Sequence, residues 1–421
     1  MVASLVYASR EINLETAEDI VQDSFSTALQ NWETNGVPLN PTGWLYKVCK
    51  NKALNKIRKE KRIERLNENK ILDTVEMKFS ESVLDDQTLR LLFACAHPDL
   101  SPKMQVVITL KYVTNLKVEA ISRILGMKID GVDKLLLRAR QKIKDEKILL
   151  AEPSAVLLKP RLNIVHKILY LIFNEGYKSS WGKEILREEL CEDALLMTKS
   201  LVDSQLGNAA TKALYALMLF NTARFRSRFG PNGELLELEK QDRTLWNKEL
   251  ILLATDFLLK SRDDIPTSYH LEASISYIHS TATSFAETDW KTISKLYSKL
   301  LLDNTNPFVE LNFAIALFYG DEKGRAFEIL HQLHKHPVMH EYYLLNATLG
   351  KLYHLEKTDQ LARQFLQQAL GQTNFQSGKR PDPKNDGCVT KRIDKKCPLS
   401  AVANLTFIFV PGSFTDVGVI S

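Results

Sequence analysis

Four polar residues at helical spacing, Lys47, Asn51, Asn55 and Arg58, combine cations that neutralise phosphates with side-chain amides that bond base edges. They lie in PTGWLYKVCKNKALNKIRKEKRIER, from Pro41 to Arg65, a stretch loaded with lysine and arginine. Lys50 adds a further cation, and Trp44 supplies a ring on which an unstacked base can lie. The chemistry is recognition of a polyanion, with nucleic acid as the natural partner, and it needs a helix to hold the stripe together. The 3.6-residue period provides one, because Leu45, Val48, Cys49 and Ile57 fall on another side and face a core. For such a helix alone, a solvated lysine-rich face is the plain alternative.

A second basic element, KVEAISRILGMKIDGVDKLLLRARQKIK, runs from Lys117 to Lys144. Val118, Ile121, Ile124 and Leu125 mark a short first helix. Gly126 supplies a turn that needs a positive backbone dihedral. Val132, Leu135, Leu136 and Ile143 form the buried side of a second helix beginning near Asp130, where that carboxylate would serve as N-cap. This is helix-turn-helix grammar, and it puts Lys128, Asp130, Lys134, Arg138, Arg140 and Lys142 toward a major groove and its phosphates. An ordinary helical hairpin with a basic exterior is the alternative.

Catalysis finds little support in the residue types. No phosphate cradle, nucleophile or metal motif is present, so neither cofactor nor metal is expected. In FNEG, Phe173 to Gly176, an enzymatic reading would need a polar pocket around Glu175; Asn174 and Glu175 are expected instead to cap or cross-link helices at a turn made by Gly176. His331, His334, His336 and His340 lie close together, but only His336 and His340 share an i, i+4 spacing, and Pro337 intervenes; surface histidines are expected. Arg224, Arg226 and Arg228 are expected to reach solvent. The five cysteines are scattered without a CxxC pair, which argues against disulfides and zinc fingers.

Taken in order, AEDIVQDSF at Ala17 to Phe25, NPTGWLYKVCKNKALNKIR at Asn40 to Arg58 and the helix-turn-helix resemble the two core domains of an extracytoplasmic-function sigma factor, a promoter-recognition subunit of bacterial RNA polymerase. LYLIFNEGY at Leu169, QDRTLWNKELI at Gln241, TDWKTISKLY at Thr288 and NPFVELNFAIAL at Asn306 resemble the subgroup carrying a C-terminal TPR-like domain. The resemblance runs from about Leu14 to about Leu370. It implies that Asp19, Gln22, Asp23 and Phe25 dock on core RNA polymerase. It implies equally that the segment from Trp44 to Arg58 engages and helps open the proximal element of promoter DNA, while the helix-turn-helix reads the distal one. The chain departs from the family pattern at Asn55, where an aspartate is usual, and at Leu135, where a basic residue is usual; Asp133 adds a negative charge near the groove. The family also has a further turn or two of helix ahead of Asp19, so the start reads as truncated.

The expected fold is all-α: a sigma region 2-like domain at 1–66, an acidic linker at 67–87, a sigma region 4-like domain at 88–148, a TPR-like helical domain at 159–370 and a disordered or aberrant tail at 371–421. The linker follows from Asp73, Glu76, Glu81, Asp85 and Asp86 without strong helical patterning. The TPR-like reading follows from Leu349, Gly350, Tyr353, Ala362 and Ala369, echoed upstream by Phe313, Ala314, Leu317, Ala326 and Leu333; Ala326 and Ala362 lie 36 residues apart. Stacked helix pairs of that kind present a surface to a protein or peptide partner. The tail is polar and turn-rich before an apolar end. A net charge of +5 over 421 residues is modest, and its clustering in the two basic elements matters more. No membrane partner is expected, since the longest apolar run falls short of the roughly 20 residues a bilayer needs, and the cytoplasm is the expected compartment. The competing function is a stand-alone helix-turn-helix regulator whose TPR-like half senses a peptide.

Overall fold

The computed structural model describes residues 1–2, 5–6, 12–67, 84–148, 150, 155–178, 188–204, 206–230, 236–263, 265–303, 306–340 and 342–376. Most of the expected linker, 68–83, lies outside the described residues, as do 377–421 with Cys388 and Cys397. Among the described residues the regular elements are helices, and the fold is all-α. The chain divides into two compact units, one ending at Gly207 and the other beginning at Asn208.

The first unit opens with an antiparallel pair, α1 (Leu14–Asn35) and α2 (Pro41–Asn67). Asn13 caps α1 by accepting from the Thr16 amide at 2.8 Å, satisfying one of the orphan donors of the first turn. One residue per turn of α1, Leu14, Ala17, Ile20, Ser24 and Ala28, is buried. Ala17 and Ile20 pack with Cys49, Ala53 and Ile57 of α2, spaced four apart, and Leu5 and Ile12 complete this core. Ala53, with no exposed surface, was absent from the expected core set; its small side chain is what lets the helices approach. A fully buried isoleucine such as Ile57 contributes about 1.5–3 kcal/mol.

Four further helices build the helix-turn-helix body: α3 (Leu84–Cys95), α4 (Pro102–Tyr112), α5 (Val118–Leu125) and α6 (Ile129–Asp145). Gly126 ends α5 with φ +60°, its amide bonding Arg123 while the Met127 amide bonds Ser122. That bond pair is the Schellman motif, and only a glycine holds its left-handed position without a Cβ penalty. The expected cap is corrected here: α6 begins at Ile129 with Lys128 as N-cap, and Asp130 lies inside the first turn, paired with Lys134 at 2.8 Å.

The helices α7 (Ala155–Lys178) and α8 (Glu188–Asp203) pack on α3, and α7 also packs on α4. They therefore group with the first unit, whereas the sequence places them at the start of the TPR-like helical domain of 159–370. Arg161 of α7, 6% exposed, donates to the Phe93 carbonyl of α3 at 2.8 Å. No turn forms at Gly176, contrary to expectation, because α7 continues to Lys178 and stacks Phe173 on Tyr177 at 5.9 Å. Glu175 does cross-link helices, its carboxylate 3.7 Å from Arg123 of α5.

The second unit is a succession of packed helices: α9 (Ala209–Thr222), α10 (Lys248–Lys260), α11 (Ser268–Thr281), α12 (Trp290–Asp303), α13 (Pro307–Tyr319), α14 (Lys323–His334), α15 (Tyr343–Leu355) and α16 (Asp359–Gln376). Each packs on the next in order. The residues singled out for large-small packing fall where paired helices meet: Gly350 of α15 faces Leu366 and Ala362 of α16, and Ala326 of α14 is fully buried against α13. Between α9 and α10 the chain makes short 3-10 turns at Phe225–Ser227, Leu238–Lys240 and Arg243–Leu245. Here the arginine run departs from expectation: Arg224 and Arg228 are buried and only Arg226 is exposed.

Candidate polymerase and promoter interface

The helix pair α1–α2 turns its two outer faces to solvent. On α1, Asp19, Gln22, Asp23 and Phe25 are all exposed, Phe25 at 48%. Leu29, one turn beyond Phe25 and 73% exposed, continues that face and was not anticipated, although its i+4 spacing from Phe25 was the available signal. An apolar pair rimmed by carboxylates and an amide has the composition of a protein-docking surface.

On α2, Lys47, Asn51, Asn55 and Arg58 are exposed and follow one another at intervals of three or four residues, with exposed Lys50 beside Asn51. The expected stripe is thus continuous in space. Trp44 stands at its N-terminal end, half-buried, its ring 5.5 Å from that of Trp32 on α1. Asn40 holds this end of α2 by accepting from the Gly43 amide at 2.8 Å. The tilted tryptophan pair fixes the direction of the Trp44 ring before any base arrives.

In α6, Val132, Leu136 and Ala139 are buried, which leaves Asp130, Asp133, Lys134, Leu137, Arg138 and Gln141 on the exposed side. Lys134 and Arg138 are both exposed on this side, one turn apart. Leu137, 64% exposed between these cations, is an unanticipated member of the face, and an apolar side chain there is suited to a thymine methyl group. Lys128 is exposed at the N-terminal end of the helix. Arg140 is not on this face: its Nε donates to the Tyr112 hydroxyl at 2.6 Å, and its Nη1 lies 3.9 Å from Glu15 of α1. Lys142 is half-buried and pairs with Glu146 at 3.6 Å. Arg140 stands two positions after Arg138, which on a helix is about 200° of rotation, so the two side chains leave α6 on different sides. Burial raises the Tyr112 phenol above its ordinary range, with Arg140 acting against it.

Cys49, Cys95 and Cys191 are buried and outside any disulfide, and burial pushes Cys95 up to about 12, far from thiolate chemistry. Of the histidines, His331 bonds the Tyr353 hydroxyl at 2.7 Å and the His334 and His340 rings lie 5.3 Å apart. Among the described residues there is no cluster of three metal-ligating side chains, and no helix is long and apolar enough to cross a membrane.

Comparison with known proteins falls on these same elements. Residues 1–63 match Sigma-70 region 2, residues 90–143 match Sigma-70 region 4, and residues 161–262 match a family of unknown function, DUF6596. An uncharacterized protein of Rhizobium meliloti (strain 1021) is 33% identical over 313 residues, covering 72% of this chain and 74% of its own. RNA polymerase sigma factor SigV of Bacillus subtilis (strain 168) is 29% identical over 127 residues, 30% of this chain and 73% of SigV. No solved structure gives a significant match. With region 2 lying on the α1–α2 pair and region 4 on the helix-turn-helix, in the order the sequence predicts, the chain belongs to the sigma-70 family as a sigma factor of the extracytoplasmic-function type.

Proposed function

We propose that this sigma factor docks on core RNA polymerase through the α1 face of Asp19, Gln22, Asp23, Phe25 and Leu29 and engages the proximal promoter element through the α2 stripe. The distal element is read by Lys134, Leu137 and Arg138 of α6, with Lys128 and Asp130 at its N-terminal end. The observation that carries this reading is the antiparallel α1–α2 pair, whose two outer faces differ in chemistry, apolar and acidic on one helix, cationic and amide-bearing on the other. Neither role involves making or breaking a covalent bond. Two weak contacts joined through one polymerase give steep dependence on effective concentration, so each can be modest alone.

The helical half beyond Lys159 acts as a regulatory domain with a TPR-like stack that takes a protein or peptide partner. Support for this is the close antiparallel packing of α15 on α16 at Gly350 and its echo at Ala326. Run-off transcription with purified bacterial core polymerase on a promoter library, with the whole chain and with the segment after Lys159 removed, tests both parts. Tight binding to duplex without polymerase, and no transcription with it, would instead identify a stand-alone regulator.

A further inference from the structure

In the second unit the segment from Leu236 to Asn247 crosses helices far from it in sequence. The Asn247 amide bonds the Ala223 carbonyl at the end of α9 at 2.9 Å. Arg243 Nη1 donates to the carbonyls of His279 and Ala282 at the end of α11, each at 2.7 Å. Lys351 of α15 donates to Glu237 at 2.7 Å and to Glu239 at 2.9 Å. Burial first, and then Glu239 and Glu237, raises the Tyr319 phenol of α13, so both carboxylates stand near that helix too. These four are every second helix of the succession, the set that lines one side when helix pairs are stacked. A repeat in such a stack ordinarily contacts only its neighbours. A segment that joins the first pair to the fourth is therefore a strap, laid along the side where a peptide would bind.

We propose that this strap is a built-in stand-in for the partner of the helical stack, and that the partner is an acidic segment with two glutamates around an apolar residue. The inference rests on the TPR-like reading of this half and names the chemistry its partner needs. Lys351 sets that chemistry. It is 8% exposed and Glu237 only 3%, so an occupant without carboxylates would leave a buried ammonium uncompensated, which is strongly unfavourable. Leu238, 4% exposed between the two glutamates, fills an apolar site in the same stretch. Exchange begins at Glu239, because its side chain is 44% exposed and one ammonium holds both carboxylates. The strap is anchored by the Leu236 amide on the Arg228 carbonyl at one end and at His279, Ala282 and Ala223 at the other, so displacing residues 237–240 leaves both ends in place.

A fluorescein-labelled peptide of residues 236–246, LELEKQDRTLW, titrated with the full chain and followed by fluorescence anisotropy, tests the proposal. The chain carrying Glu237→Gln and Glu239→Gln, whose strap is weakened, should bind the peptide at least several-fold more tightly than the wild type. Glu239→Gln alone should show a smaller gain, and it serves if the double variant fails to fold, since this side chain is nearly half exposed. A peptide with both glutamates replaced by glutamine should bind neither chain, and adding Lys351→Gln to the strap variant should abolish the gain. Equal binding by wild type and folded strap variants, or a gain that survives Lys351→Gln, overturns the proposal. The reading beneath it fails separately: run-off transcription unchanged by removal of the segment after Lys159 would deny that half a regulatory role, whatever the peptide does.

Discussion

Lys52 of α2 reaches Asp23 of α1, with its Nζ 2.6 Å from a carboxylate oxygen, 2.9 Å from the Asp23 carbonyl and 2.6 Å from the Thr27 hydroxyl. The cation of one helix thereby orients a carboxylate on the face of the other for which docking is proposed. Asp23 is well exposed, so solvent screens most of the Coulomb energy. Lys52→Met should lower stability by no more than about 1 kcal/mol in urea unfolding while measurably weakening association with core polymerase. By contrast, Ala53→Leu one residue along overfills the fully buried α1–α2 contact and should cost about 1–3 kcal/mol. Equal unfolding effects from the two changes would mean that Lys52 is part of the packing and not of the surface.

The α2 stripe makes a prediction about salt. Lys47 and Arg58 are exposed at its two ends, and if each neutralises a phosphate, each releases bound counterions when the promoter binds. Replacing both by alanine should weaken promoter binding by the polymerase complex and flatten the plot of log affinity against log salt, by about 0.7–0.9 per lost contact. Weaker binding with an unchanged slope would assign the loss to misfolding, not to phosphate contact.

On α6, exposure separates residues that the sequence grouped together. Leu137→Ala should relax preference at one base position of the distal element several-fold, read by binding to a set of single-base variants, with stability unchanged because the side chain is exposed. Arg140→Met should behave in the opposite way, leaving base preference intact and lowering the melting temperature through loss of the Tyr112 bond. A shift in base preference from Arg140→Met would place its guanidinium in the groove.

How far the chain was legible follows from what each feature depends on. The α2 stripe and the Gly126 turn depend on local periodicity and backbone conformation, which the sequence carries residue by residue; on α6 Val132 and Leu136 of the expected set are buried, while Leu135 and Ile143 are half-buried and Ala139 takes the remaining core position. Arg140 shows where that ends: its cationic character was readable, but its direction is set by Tyr112, 28 residues away. Arg224 and Arg228 were expected at the surface because a basic run usually is, yet the Phe225–Ser227 turn folds them inward, where Arg224 bonds Asn221 and lies 5.9 Å from the Trp246 ring. Lys351 is a similar case, next to Gly350 in sequence but buried between Glu237 and Glu239 at 2.7 and 2.9 Å. Such long-range pairs leave no periodic signal. The cap misplaced at Asp130 has a different origin, since MKIDG offers an acidic residue one step inside a helix whose true N-cap is Lys128.

Gly350 provides a test of the α15–α16 packing. A Cβ at this position would stand 2.6 Å from Leu366 Cγ and 3.2 Å from the Ala362 carbonyl oxygen. Gly350→Ala gains about 1 kcal/mol of helix propensity but must displace Leu366, at a cost of about 1–3 kcal/mol for overpacking. Leu366→Ala alone leaves a cavity and should cost about 2–5 kcal/mol. Combined with Gly350→Ala it should cost less than the sum of the two, because the new methyl occupies space the leucine vacated. Strict additivity in denaturant unfolding would show that the two residues do not touch.

The buried imidazole of His166 on α7 governs how the first unit responds to acid. Desolvation lowers it to about 4 from its ordinary 6.5. The folded state therefore holds the ring neutral where the unfolded chain would already be protonated. Stability is full above about pH 6.5, declines as the pH falls through that value, and stops declining near pH 4, where the folded ring also takes up a proton. Over the whole window the loss is on the order of 3 kcal/mol. Carboxylates titrate over part of the same range, so the measurement is a difference: urea unfolding of the wild type and of His166→Gln at intervals from pH 7 to 4. The variant should start less stable at neutral pH and lose less on acidification, closing the gap with the wild type as the pH drops. Parallel stability curves would mean that the folded and unfolded chains protonate His166 over the same pH range, and that the desolvation argument is wrong.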